Sequence, residues 1–171
     1  MVQEYKEMVE KIPAEMRWAI AARALTGVAT ALEAAIQDAL GPEKRREIAT
    51  RVWTAGAAGI KQLVDALGLP TDDAKAAANA VATAVTVAMG PESQGDFIEA
   101  TPTRVVSRIT GCAPQLRMKE MGVTLDCMPV CTAHMEAMYK ALNPRLVFRA
   151  GDKCIGRGDP YCGDAVIELR P

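Results

Sequence analysis

Four of the five cysteines in this 171-residue chain, and its only histidine, fall in two short stretches. CMPVCTAH runs from Cys127 to His134, and KCIGRGDPYC from Lys153 to Cys162. Thiolate sulfur and imidazole nitrogen are the usual donors to zinc, which takes four of them in a tetrahedron. Cys127, Cys131, Cys154 and Cys162 could supply all four, and His134 could replace one. The spacings match neither a zinc finger nor a ferredoxin, so spacing alone gives a metal only moderate support. An iron–sulfur or redox centre on the same cysteines is a further alternative. Two readings without metal stay open. Cysteine often just fills a core. A thiol at a helix N-terminus, where Cys127 would lie, is poised as a nucleophile because the dipole favours thiolate. His134 stands too far along that helix to be an obvious base. Cys112, after Gly111 and near Pro114, is a candidate pocket residue.

These residues need elements to hold them. Cys127 to Leu142 reads as a helix stopped by Asn143-Pro144, with Asp126 as its expected N-cap and Pro129 tolerated in its first turn. Cys127, Cys131 and His134 stand at i, i+4 and i+7, on one helix face. Leu146–Ala150 and Ala165–Leu169 read as strands, with GDKCIGRGDPYCGD as a loop between them that presents Cys154 and Cys162. Upstream, Phe97–Ala100 and Thr103–Thr110 read as strands, and Gly111–Met121 as a short helix or turn.

Before residue 90 the chain is rich in alanine and has no cysteine. Pro13 opens a helix running to Leu40, with Gly41 as its stop. Pro42 opens a second helix that ends at Gly68. Thr71 is the expected cap of a third, which runs to Met89 and ends at Gly90-Pro91. The expected fold class is therefore α+β: an N-terminal helical layer (1–90) on a small antiparallel sheet with the cysteine-containing part (91–171), in a single domain. Ala55–Gly59 and the alanines from Ala76 to Ala82 let helices approach closely. They serve tight packing within the monomer, or a homodimer interface.

Composition excludes several partners. A net charge of −1 without a basic block argues against nucleic acid, and 4% aromatic residues leave no stacking platform for single strands. The charged N-terminus does not read as a signal peptide. The longest uncharged helical run, Ala76 to Met89, is too short for a bilayer. Cytoplasmic placement with reduced thiols or metal is expected. Around the cysteines, Met135 and Met138 suit an adaptable apolar pocket or a plain core. Arg108, one of several arginines on β-prone stretches, could hold a ligand carboxylate or lie on a solvated sheet face.

The tail KCIGRGDPYCGDAVIEL resembles the C-terminal signature of the 4-vinyl reductase-type small-molecule-binding domains. The longer pattern adds a Cys after a Thr-rich strand, then a Cys-led helix ending in LNP. It is similar to the L-2-amino-thiazoline-4-carboxylic acid hydrolase-like proteins, relatives of the same fold. GPEKRREIATRVWTAGAAGIKQLVDALG suits their helical N-terminal part. The resemblance implies a pocket between helices and sheet for a small apolar or aromatic ligand. It also implies a zinc ion held by an upstream Cys (Cys127 or Cys131), a Glu, and a tail pair (Cys154 and Cys162). The Glu position, three before Cys154, is Gly151 here, and the second cysteine of CMPVC could make up the loss. The hydrolase-like relatives more often carry an acidic residue after the leading Cys, where this chain has Met128-Pro129-Val130-Cys131. The expected function is a small-molecule-binding domain with a Cys-ligated metal site. The alternative is a hydrolase opening a small C–N-containing ring by metal-bound water or a Cys thiolate.

Overall fold

The computed structural model describes residues 2–171, with side chains from Lys6 onward. Helix α1 spans Val2–Glu10. Helix α2 spans Ala14–Ala66 and is broken at Gly41, whose φ of 84° and ψ of 165° leave the helical region. Glycine alone takes that φ cheaply, and Pro42 then restarts the second arm without the N–H a helix start leaves orphaned. The two helices expected on either side of Gly41 are thus two arms of one bent element. Helix α3, Ala74–Met89, is capped by Asp73, whose carboxylate accepts from the Ala76 N–H at 2.7 Å. The cap is therefore two residues beyond the expected Thr71, because the chain enters through an extended segment that ends at Asp73.

Strands β1 (Gln94–Ala100), β2 (Arg104–Gly111), β3 (Leu146–Arg149) and β4 (Cys162–Leu169) form one antiparallel sheet of order β1-β2-β4-β3. Helices α4 (Ala113–Met121) and α5 (Met128–Leu142) lie between β2 and β3 in the chain. The result is the expected α+β domain. Alternation along β4 turns Ala165 and Ile167 inward, and β3 does the same with Leu146 and Phe148. They meet α3 and α5, where Tyr139 stacks on Phe148 with ring centroids 5.7 Å apart. The second arm of α2 adds Ala57, Ile60 and Val64. Within α3 the inward residues are mostly alanine, so the helix packs closely. Its small residues thus serve the monomer, while Ala55, Gly56, Ala58 and Gly59 on α2 are exposed.

The outer face of the sheet is charged. Arg104 and Arg149 both pair with Glu168, and Arg108 pairs with Asp164 at 2.6 Å. This is the solvated sheet face among the alternatives for Arg108. Among the described residues α2 is the one helix long and apolar enough, by length and composition, to cross a membrane, a property the sequence reading did not credit to any segment. Only 17% of its most apolar window is buried in the protein.

Candidate functional site

The N-terminus of α5 is held from behind by a buried network. Arg45, 1% exposed, follows Pro42 in the second arm of α2. It donates to the Asp126 carbonyl at 2.7 Å and to the Glu33 carboxylate, across the kink, at 2.9 Å. The Trp53 indole N–H donates to the other Glu33 oxygen at 2.7 Å, and the Trp53 ring meets His134 edge-on at 5.5 Å. One ion pair therefore fixes the angle between the arms and positions the residue before Cys127. The sequence reading missed this network. Its only trace there is a Glu and an Arg on either side of a Gly-Pro break.

On that support the cysteines converge. The sulfurs of Cys127 and Cys154 are 3.8 Å apart. Cys154, itself 1% exposed, also stands near enough to Cys162 to oppose its ionisation. Donors aim at two of the three sulfurs: the Gln115 amide reaches Cys127 at 2.7 Å, and the Ile155 N–H reaches Cys162 at 3.1 Å. A short 3-10 turn, Ile155–Arg157, carries this geometry, tied by the Asp159 carboxylate accepting from the Cys154 N–H at 2.8 Å. Cys162 opens β4 opposite Ile109 rather than lying in the loop, since the strand begins earlier than its apolar residues suggest.

Several expectations change. Cys127 is itself the N-cap of α5 and makes no side-chain cap bond, so Asp126 does not cap. Asp126 instead pairs with Arg157 at 3.4 Å. Gly151 cannot be replaced by the missing glutamate, because a Cβ there would collide with the Gly163 carbonyl, where the loop folds back on β4. His134 faces Trp53, and its buried Nδ1 has no partner among the described residues. Met138 is 1% exposed in the core and Met135 packs against it, so neither lines the cleft described below. Arg108 lies over the Tyr161 ring at 4.6 Å on the outer face of the sheet. Cys131 is exposed on α5.

At Cys127 the surroundings oppose the activation that a helix N-terminus can give a thiol. Burial first, then the neighbouring sulfurs of Cys154 and Cys131, push its pKa far above the ordinary thiol range. Cys162 is pushed up to about 12 mainly by burial, partly offset by the Ile155 N–H. Burial raises Cys112 as well and lowers His134. The neighbouring sulfurs oppose ionisation of Cys127 and Cys162, so without a cation these two stay protonated near neutral pH.

A cleft opens beside the thiols. Its larger lobe, about 410 Å³, is lined by Cys112, Gln115, Leu116, Met118 and Ile155 among others, with Glu92 and Lys119 at its polar edge. A smaller lobe of about 180 Å³ is lined by Cys127 and Cys154, with Asp126 and Arg157. The lobes share Thr124, Leu125 and Gly156. Gly156 matters because a Cβ there would lie 2.5 Å from the Gln115 amide nitrogen, the group that holds Cys127. Of the sequence candidates, Cys112 lines the larger lobe, and Cys127 and Cys154 the smaller. Among the described residues no three His, Cys, Asp or Glu side chains already stand in metal-ligand geometry.

Two solved domains share this α+β fold. The phenol-responsive sensory domain of the transcription activator PoxR, solved with phenol, superposes with a TM-score of 0.61 at 13% identity, covering 85% of this chain and 74% of that one. A trafficking protein particle complex subunit 3 from Naegleria fowleri, covalently bound to palmitic acid, superposes at 0.59 and 14% identity, covering 89% and 96%. At such identities the likeness is one of fold. The chain belongs to the L-2-amino-thiazoline-4-carboxylic acid hydrolase family, whose profile matches residues 4–163. No curated protein sequence matches it.

Proposed function

We propose that the protein binds a small, largely apolar molecule in the two-lobed cleft and presents it to the cysteine cluster. The carrying observation is that the smaller lobe, which shares Thr124, Leu125 and Gly156 with the 410 Å³ one, has Cys127 and Cys154 in its wall. A volume of that size suits a single small ring with a substituent, and its apolar lining with a polar edge suits an orienting role. The sensory domain solved with phenol and the subunit solved with palmitic acid support such a use of the fold. Five free cysteines suit a reducing compartment, so we place the protein in the cytoplasm.

Two of the thiols are spaced as zinc requires, and a third would have to close on the ion. Two sulfurs bound at about 2.3 Å in a tetrahedron lie about 3.8 Å apart, and the Cys127–Cys154 separation equals that edge. N–H donors on Cys127 and Cys162 favour thiolate, as ligands to a cation require. Cys127, Cys154 and Cys162 would hold the ion, and a water or the bound molecule would take the fourth place, since Cys131 stands apart and exposed on α5. When bound it would act as a Lewis acid at the end of the cleft.

Family membership favours a second reading: hydrolysis of a small C–N-containing ring, with water added across the bond that opens. The residues that would act are those of the same cleft. A thiolate at Cys127 is disfavoured by its surroundings, so a metal-held water suits the site better than a free nucleophilic thiol.

One set of assays tests these readings. Purified protein is analysed for zinc, titrated with phenol, and incubated with L-2-amino-thiazoline-4-carboxylic acid while ring opening is followed by mass spectrometry. The expected result is one zinc per chain, lost in Cys154→Ser, and binding abolished by Leu116→Trp, which fills the larger lobe. Five freely alkylated thiols in metal-free native protein would sink the zinc reading. Phenol binding unchanged in Leu116→Trp would sink the cleft.

A further inference from the structure

We propose that the first arm of α2 is the contact surface of a symmetric homodimer, two copies crossing antiparallel along this helix. The outward residues Arg17, Ala21, Ala24, Val28, Ala31, Ala35 and Asp38 are all exposed. They recur at steps of four and three, the 3.5-residue period of a helix seam that faces another helix. Met16, Ile20, Leu25, Val28 and Leu32, on or beside the seam, are each between 54% and 60% exposed. This is not the surface of a solitary helix. A soluble monomer seldom leaves a contiguous apolar patch beyond a few hundred Å². Five half-bare large side chains and four alanines exceed that, and approach the ~800 Å² per partner of a stable interface.

The occupant follows from the ends of the seam. Among the described residues neither Arg17 nor Asp38 has an ion-pair partner. In an antiparallel pair centred beside Val28, Arg17 of each copy meets Asp38 of the other. Ala21 then meets Ala35, Ala24 meets Ala31, and Val28 meets its own equivalent. A parallel pair would set Arg17 against Arg17 and Asp38 against Asp38, so the charges select the antiparallel one. The alanines admit a close approach of the two backbones, while Leu25 and Leu32 on one flank and Ile20 on the other seal the seam.

A membrane surface is the rival occupant of an apolar helix face. It calls for a basic polar face and interfacial aromatic residues. Here the seam ends in one base and one acid, and Trp18 turns inward to donate to the Val87 carbonyl at 2.8 Å. The apolar face also lies on the arm whose inner side carries the Arg23–Glu120 pair to α4, at 3.0 Å. Dimerisation would therefore brace the helix that lines the larger lobe.

The test is the mass of the full chain in solution by sedimentation at micromolar concentrations. The expected result is a dimer. Val28→Glu weakens it at least tenfold while the helical circular-dichroism spectrum and melting temperature stay near wild type. Arg17→Asp and Asp38→Arg each weaken it, and the double variant restores it, which a parallel pair cannot do. A wild-type monomer throughout the range overturns the proposal. So does a dimer that tolerates Val28→Glu, or a double variant no better than either single one. A wild-type monomer that sediments with phosphatidylcholine–phosphatidylglycerol vesicles overturns it in favour of a membrane.

Discussion

At the alanine layer, Ala74, Ala77 and Ala84 are fully enclosed between neighbouring elements, together with Val64, Val105 and Ile167. No buried polar atom is stranded among them. At the cysteine pole the opposite holds. Every buried side-chain atom without a hydrogen-bond partner belongs, among the described residues, to Arg45, Glu92, Arg117 or His134, all in or behind the cleft. Three closely grouped thiols lie there too, at the start of α5, in the loop and at the start of β4, beside glycines at φ 94° and 128°. The alanine layer is close-packed and chemically silent, and it can carry the stability. The pole holds polar groups whose capacity is unused, which costs stability and is tolerated where ligands bind. The comparison makes a claim that can be broken: damage to the layer should unfold the protein without touching thiol chemistry, and damage to the pole should do the reverse.

The largest effect is expected where the two regions are tied together. Arg45→Ala removes one partner of a buried pair and strands Glu33, at a cost of about 3–5 kcal/mol. It also frees the Asp126 carbonyl and the first turn of α5, so stability and thiol reactivity should change together. Urea melts and alkylation rates on the same sample check this. A loss below about 1 kcal/mol would mean the network is solvated and does not fix the kink. Next comes Ile167→Ala, in the layer itself. It should cost about 2–5 kcal/mol as a cavity opens against α3 and α5. Mass-spectrometric labelling of Cys127 and Cys154 should be unchanged under native conditions. Altered labelling would show that the two regions are not separable.

How far the sequence carries this comparison depends on how local each feature is. Helix breaks at Gly41 and Gly90, the proline-terminated α5, and strand alternation in β2 and β4 are local, and they give the α+β class correctly. The helix caps are less legible. Thr71 and Asp126 are sound cap types, but Asp73 and Cys127 hold those positions because tertiary contacts decide where the chain turns. The convergence of Cys127, Cys154 and Cys162 is half legible. Their type marks them, whereas the detachment of Cys131 and His134 depends on how α5 is rotated against Trp53. The Glu33–Arg45 clamp and the Gly156–Gln115 contact are not local, and their one trace in the sequence is a Glu and an Arg on either side of Gly41-Pro42. Met138 shows the converse problem, since a methionine in a core and one in a pocket look alike.

A smaller effect is expected from alkaline pH on metal-free protein. Cys162, raised from an ordinary 9.0 to about 12, keeps its proton in the folded chain where the unfolded chain has lost it. Its contribution to stability is therefore intact below about pH 9 and is lost as the pH rises to 12. The melting temperature should fall through that window, and Cys162→Ala should flatten the fall. If the fall stays equally steep in Cys162→Ala, other groups dominate the alkaline limb.

The smallest change in stability, and the sharpest test of the pole, lies at the partition between the lobes. Gln115→Ala removes one hydrogen bond, about 0.5–1.5 kcal/mol. Because its amide favours the thiolate of Cys127, alkylation of that sulfur should slow by roughly 2- to 10-fold, the same energy read as a rate. Gly156→Ala should act through the same group, since the new Cβ would displace the Gln115 amide. The two substitutions should then be non-additive: the double variant alkylates no more slowly than either single one. Additive slowing would separate the glycine from the glutamine. Faster alkylation in Gln115→Ala would mean that the amide serves chiefly as a lid over the sulfur, and the partition would then control access to Cys127 rather than its charge.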